Sequence, residues 1–164
     1  MKEGRVIDPA KIYLVSVQTI KGSIDTPRVT SGIAVEEYDF DFDVSIGVND
    51  ADNVIGIIFK VDINALGHDK KKLDLKASYT HEFVFEVENL DEFIEVIEGA
   101  TEPKVDRLML GTLLGIVYST IRGIVYTRTQ GTAFNGVILP VVDPKRFIKN
   151  DETKQDQING NSEK

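Results

Sequence analysis

Stretches of strict alternation between apolar and polar residues constrain this chain's fold more than any other feature. In YDFDFDVSIGV, Tyr38, Phe40, Phe42, Val44, Ile46 and Val48 alternate with Asp39, Asp41, Asp43, Ser45 and Gly47. VIGIIFKVDINA puts Ile57, Phe59, Val61 and Ile63 on one face, and LDLKASYTHEFVFEV alternates from Leu73 through Tyr79, His81, Phe83 and Phe85 to Val87. Successive strand side chains point to opposite faces, so each stretch predicts a strand with one apolar and one polar face. NDADN and GHDKKK supply turn residues between them. An earlier segment, KIYLVSVQTI, reads as a strand from its β-branched content, followed by a long connection that carries Gly22, Pro27 and Gly32. Short turns between alternating strands predict a four-stranded antiparallel meander with one covered face.

Beyond Val87 the period changes. Asn89 and Glu92 have the spacing of a capping box, and Leu90, Phe93, Ile94 and Ile97 fall at helical intervals before Gly99. A long helix is predicted from Pro103 to Gln130, with Gly131 just past its end. Within it Gly111, Gly115, Ser119, Gly123 and Thr127 recur every four residues and make one shallow ridge. An interior glycine costs a helix up to ~1 kcal/mol relative to alanine, and close approach of another surface is the physical compensation. Leu110, Leu114, Val117, Ile121, Ile124 and Val125 flank the ridge, so the helix is apolar around most of its circumference. Burial on two sides follows, against its own sheet and against a second copy. Gly111, Gly115, Ser119, Arg122 and Gly123 are therefore expected at an oligomer interface, where Arg122 snorkels or meets a carboxylate.

Small residues at this spacing also occur in transmembrane dimers. Here the uncharged run between Arg107 and Arg122 would reach about 21 Å as a helix, short of a ~30 Å bilayer core, so no membrane partner is expected. The β-branched content admits a strand instead; length and the four-residue period favour the helix.

At 164 residues the chain suits a single domain. We divide it into a lead-in (1–10), the domain (11–150) and a polar tail (151–164) expected to be disordered. A formal net charge of -8 opposes contact with phosphate backbones and anionic lipid, so nucleic acid is not an expected partner. The absence of cysteine excludes disulfides and thiol chemistry. With no continuous apolar core in MKEGRVIDPAKIY, the expected location is cytoplasmic.

Little in the sequence points to catalysis. His68 sits in a charged turn, and His81 falls in the apolar register of a strand, where a packed structural role is expected. No HExxH, GxxxxGK or GxSxG occurs, and no pair of acids stands out, so no catalytic residue, metal or cofactor is expected. The acidic run Glu36, Glu37, Asp39, Asp41 and Asp43 does not wrap a cation from a flat strand. It is a solvated face that discourages edge pairing, or a docking surface for a basic partner. In FNGVILPVVDPKRFI, Val137, Ile138, Leu139, Val141 and Val142 form an apolar run in which Pro140 blocks regular structure. That run either covers the chain's own helix or offers an apolar strip to other chains. Asp143 and Pro144 look like the start of a last short helix, KRFIKN.

The order of these elements resembles the SecB family of protein-export chaperones. The likeness runs from Lys11 to Asn150, and its strongest local part is LGTLLGIVYSTIRGIVYTRTQGTAFNGVILPVVDPKRF. This stretch is similar to the family's long helix with an internal arginine, its Gly-Thr exit and its Leu-x-Pro loop; IYLVSVQTI resembles the first strand. The resemblance implies an α+β fold, with a short and a long helix on one face of a four-stranded antiparallel sheet. It also implies a homodimer or homotetramer. By this likeness the protein is an ATP-independent holdase that needs no cofactor and binds unfolded polypeptides in apolar grooves, as in protein export. The groove positions implied are Tyr38, Phe40, Phe42, Val137, Ile138, Leu139, Val141, Val142 and Phe147. Where the family carries acidic residues that dock the translocase motor, this chain has Ser16 and Ile20, so that docking is not expected. Other members are antitoxin chaperones, and the alternative is an interaction protein or antitoxin chaperone dedicated to one partner.

Overall fold

A computed structural model describes residues 5–27, 32, 34–100 and 103–148. The expected tail, 151–164, lies outside the described residues. Strands β1 (Ile12–Asp25), β2 (Glu37–Asn49), β3 (Val54–Leu66) and β4 (Lys72–Val87) form one antiparallel sheet in the order β1-β4-β3-β2. The meander expected over all four strands therefore holds only for β2, β3 and β4. Two tight connections, 50–53 and 67–71, make hairpin neighbours of β2, β3 and β4. The longer connection after β1 leaves that strand free to lie against β4. It pairs there from Ile12 opposite Val87 to Asp25 opposite Lys76, and extra residues at Val15 and Ile20 bulge the strand.

The alternation sets which face is covered. Ile55, Ile57, Phe59, Val61 and Ile63 of β3, with Phe83, Phe85 and Val87 of β4, have no exposed surface. Helix α1 (Arg107–Thr129) lies over them and buries Met109, Leu113, Val117, Ile121 and Val125, one residue per turn. By length and composition alone α1 could cross a membrane. In the fold, the stripe against the sheet accounts for its apolarity.

Asp106 caps α1, its Oδ1 accepting from the Leu108 amide at 2.8 Å. The helix starts later than expected because Lys104–Val105 (β6) pairs with Ile94–Glu95 (β5). The helix expected after Asn89 is only a 3-10 turn, Leu90–Phe93. Asn89 and Glu92 do meet, side chain to side chain at 3.0 Å. Yet Asn89 caps no backbone amide, and the Phe93 carbonyl is taken by the Asp106 amide at 2.7 Å. Tertiary pairing wins over a nucleus too short to propagate. Past the end of α1, Gly131 has φ +71°, the left-handed conformation that a glycine after a helix supplies.

An aromatic strip beside an open sheet edge

β2 is an edge strand, and no strand pairs with its outer side among the described residues. On the helix side of the sheet it projects Tyr38, Phe40 and Phe42, all half-buried. The other face of β2 carries Glu37, Asp39, Asp41 and Asp43. Across the ladder from that face, Lys60 and Asp62 form an ion pair at 2.7 Å. Burial alone would raise the Asp62 pKa; hydrogen bonding from Lys60 and Ser78, with the Lys60 and Lys21 charges, outweighs that and holds the carboxyl below its ordinary value.

The segment after α1 returns over the helix and closes the other side of the strip. Phe134 is buried against Tyr38, with ring centroids 5.7 Å apart. Val137 and Leu139 point into the core, whereas Ile138 is 63% and Val141 is 83% exposed. This in-out alternation is held by two polar groups of the helix. The Tyr118 hydroxyl donates to the Pro140 carbonyl at 2.6 Å, and Arg122 Nε donates to the Leu139 carbonyl at 3.2 Å. Burial pushes the Tyr118 pKa up, and the Arg122 and Arg146 charges oppose part of that rise. Asp143 then accepts from the Lys145 amide at 3.0 Å and opens a 3-10 turn, Pro144–Phe147, in place of the expected short helix.

That turn delivers Phe147 to the strip. Its ring lies 5.1 Å from Phe59, 5.5 Å from Phe42 and 5.5 Å from Tyr118, with edge-to-face geometry toward both phenylalanines. Phe40 stacks on Phe42 at 6.4 Å and continues the row along the edge strand. Of the residues expected to line a groove, the structure brings Tyr38, Phe40, Phe42 and Phe147 to one partly open apolar surface, and Val142 is half-buried on the returning segment. Ile138 and Val141 stand out from the returning segment. Val137 and Leu139 are core residues whose side chains are closed to any bound chain. Sequence reasoning missed Phe134 and Tyr118 as members of the cluster. For Tyr118 the signal was a hydroxyl one residue from the buried stripe of the helix, which must find an acceptor when buried.

The small-residue ridge of α1 is covered in part by the protein's own chain. A Cβ built on Gly111 would meet the Lys145 side chain at 3.4 Å, and one on Gly115 would meet Pro144 at 3.8 Å. A Cβ on Gly123 would meet nothing within 4 Å among the described residues, and Ser119 is exposed. Arg122 turns toward the returning segment. Leu108, Ile116 and Tyr126 remain exposed on the outer helix face, as do Leu14, Val15, Val17 and Ile20 on β1.

Edge strand, overlying helix and returning apolar segment belong to an α+β architecture of the SecB-like kind. In particular, the chain is similar to Rv1957, a SecB-like chaperone of Mycobacterium tuberculosis solved in complex with a ChAD peptide from the HigA1 antitoxin. The alignment covers 81% of this chain and 91% of that one, with a TM-score of 0.54 and 14% identity. A protein of unknown function from Streptococcus agalactiae aligns over 79% of this chain and 97% of that one, with a TM-score of 0.42 and 11% identity. No protein-family model and no curated sequence matches the chain.

Proposed function

We propose that this protein is an ATP-independent chaperone that holds non-native polypeptide segments along the strip formed by Tyr38, Phe40, Phe42 and Phe147. The observation that carries this reading is the juxtaposition of a half-buried aromatic row with an unpaired strand edge. Such a surface offers a client two complementary contacts. Its apolar side chains lose water at roughly 25 cal/mol per Å² against the rings, and its backbone pairs with the outer side of β2. Neither contact consumes a nucleotide or reads a long sequence. The exposed side chains of Ile138 and Val141 extend the apolar surface beyond the rings.

A second reading is favoured by what the Mycobacterium tuberculosis neighbour was solved with. That protein holds a peptide from an antitoxin. By analogy the strip here serves one dedicated partner, with Asp39, Asp41 and Asp43 selecting basic flanking residues. In either reading the protein works as a cytoplasmic homodimer or homotetramer. The outer face of α1 around Gly123 and the apolar side chains of β1 are the surfaces buried on assembly. Ser16 and Ile20 leave the first strand without the acids that would engage an export motor.

Light scattering from a diluted denatured client tests the proposal. Aggregation is suppressed at a few-fold excess of the protein, and Phe40→Ser abolishes the effect without unfolding it. Full suppression by that variant removes the strip from the mechanism, and no suppression by the unmodified protein removes the chaperone reading. Salt separates the two readings: a dedicated acidic contact weakens steeply with ionic strength, and apolar capture does not.

A further inference from the structure

At the far edge of the same sheet face from the aromatic strip, β1, β4 and the last turn of α1 line a half-open recess of about 180 Å³ formed by Thr19, Gly22, Ser23, Ile24, Tyr79, His81 and Arg128. His81 is 1% exposed, and neither ring nitrogen has a hydrogen-bond partner among the described residues. An unmet buried polar group is destabilising, and the recess that His81 lines is the space beside the ring from which a polar group can reach it.

The rest of the lining says what charge such a group carries. Among the described residues Arg128 is its only ionised side chain, and no carboxylate pairs with it. Nor is Arg128 needed to satisfy the end of its own helix. In its last turn the Tyr126 carbonyl already accepts from Thr129 Oγ1 and Gln130 Nε2, that of Thr127 from the Gln130 amide, and that of Thr129 from Thr132 Oγ1. Thr19 stands directly opposite His81 in the ladder, so both project to the same face. Gly22 stands opposite Tyr79 and leaves the wall open where a side chain would fill it. The bulge at Ile20 separates Thr19 from Gly22 and widens the gap between them. Burial and the nearby Arg128 charge both lower the His81 pKa, which keeps the ring neutral near pH 7 with one N–H to donate.

We propose that this recess binds a carboxylate group, paired with the Arg128 guanidinium and hydrogen-bonded by the His81 ring, the Tyr79 hydroxyl and Thr19. A single arginine fork suits one planar carboxylate. In a chain of net charge -8, a recess lined by a lone cation is selective for anions through local geometry, not through the overall field. The carboxylate belongs either to a small free acid or to the C-terminus of a bound polypeptide. The inference does not depend on the chaperone reading, because the recess shares no residue with the strip.

Titration of the full chain with sodium acetate, followed through the His81 ring nitrogens by NMR and matched against sodium chloride at equal ionic strength, tests this. Acetate shifts the ring signals saturably and chloride does not. Arg128→Gln, a change at an exposed position, weakens acetate by about tenfold, as loss of a charged hydrogen-bonding partner should. Gly22→Val abolishes the response by filling the space, with every charge retained. Competition by a short peptide with a free C-terminus, but not by its amide, identifies a polypeptide terminus as the source. Failure of the peptide to compete identifies a small free acid. Identical non-saturating shifts from acetate and chloride, or an Arg128→Gln response equal to that of the unmodified protein, overturn the proposal and leave water as the partner of the ring.

Discussion

Tyr118 and Arg122, one turn apart on α1, hold consecutive carbonyls of the returning segment: Tyr118 takes Pro140 at 2.6 Å and Arg122 takes Leu139 at 3.2 Å. Together they fix the register that sends Leu139 inward and Ile138 outward. A neutral hydrogen bond of this kind contributes about 1 kcal/mol and one to a charged donor about 1.5–3 kcal/mol. Tyr118→Phe and Arg122→Met should destabilise by those amounts in urea denaturation. The double variant should lose less than the sum, because both bonds restrain one short segment. Strict additivity would mean that the two act independently.

The inward and outward residues of that segment should respond differently to substitution. Leu139→Ala removes a fully buried side chain and should cost about 2–5 kcal/mol. Ile138→Ser and Val141→Ser touch exposed positions and should change stability by no more than about 0.5 kcal/mol. In the scattering assay the two serine variants should lose part of the client suppression. If they suppress aggregation fully, the segment only covers the helix and has no part in capture.

Gly123 distinguishes a free helix face from a covered one. Nothing among the described residues lies within 4 Å of a Cβ at this position. Gly123→Ala should therefore raise the stability of an isolated subunit by up to ~1 kcal/mol through helix propensity. Where a second copy packs on this ridge, the added methyl intrudes, and the oligomer should dissociate at a higher protein concentration. Sedimentation and thermal melts of the variant, run at two concentrations, separate the outcomes.

His81 should leave a signature in stability against pH. Its pKa in the folded chain is lowered from 6.5, first by burial and then by the Arg128 charge; the other titratable group beside it is Tyr79. Above about 6.5 the ring is neutral in both states and stability is fully present. As pH falls below that value, the unfolded chain binds a proton that the folded chain does not. Stability then drops by at most ~1.4 kcal/mol per pH unit until the lowered folded pKa is reached. His81→Phe should flatten the curve in this window, and an unchanged slope would show that other groups produce it.

Much of the fold was legible because one face of the sheet is buried. Phe40, Phe42, Phe59 and Phe83 sit in the register that alternation assigns, and Asp106 to Gly131 frame the helix that the four-residue spacing predicts. Alternation reports a side chain's face but not a strand's neighbour, so the pairing of β1 with β4 was not readable from it. The capping-box spacing at Asn89 misled because a local signal worth about a kilocalorie yields to tertiary pairing. Within the strip, hydrophobicity picked out Val137 to Val142 as a block. Only the Tyr118 and Arg122 hydrogen bonds, each reaching across more than fifteen residues of sequence, divide that block into core and surface.

The pairing of Ile12 with Val87 and Asp25 with Lys76 also bears on how the molecule is built during synthesis. Of the four strands β1 is made first, yet among the described residues its ladder partner is β4, the last strand of the sheet to be made. Through that interval β1 lacks its ladder partner while β2, β3 and β4 close their own hairpins. The earliest of the four strands thus waits longest for its partner, a delay that comes from long-range topology and not from weak strand preference.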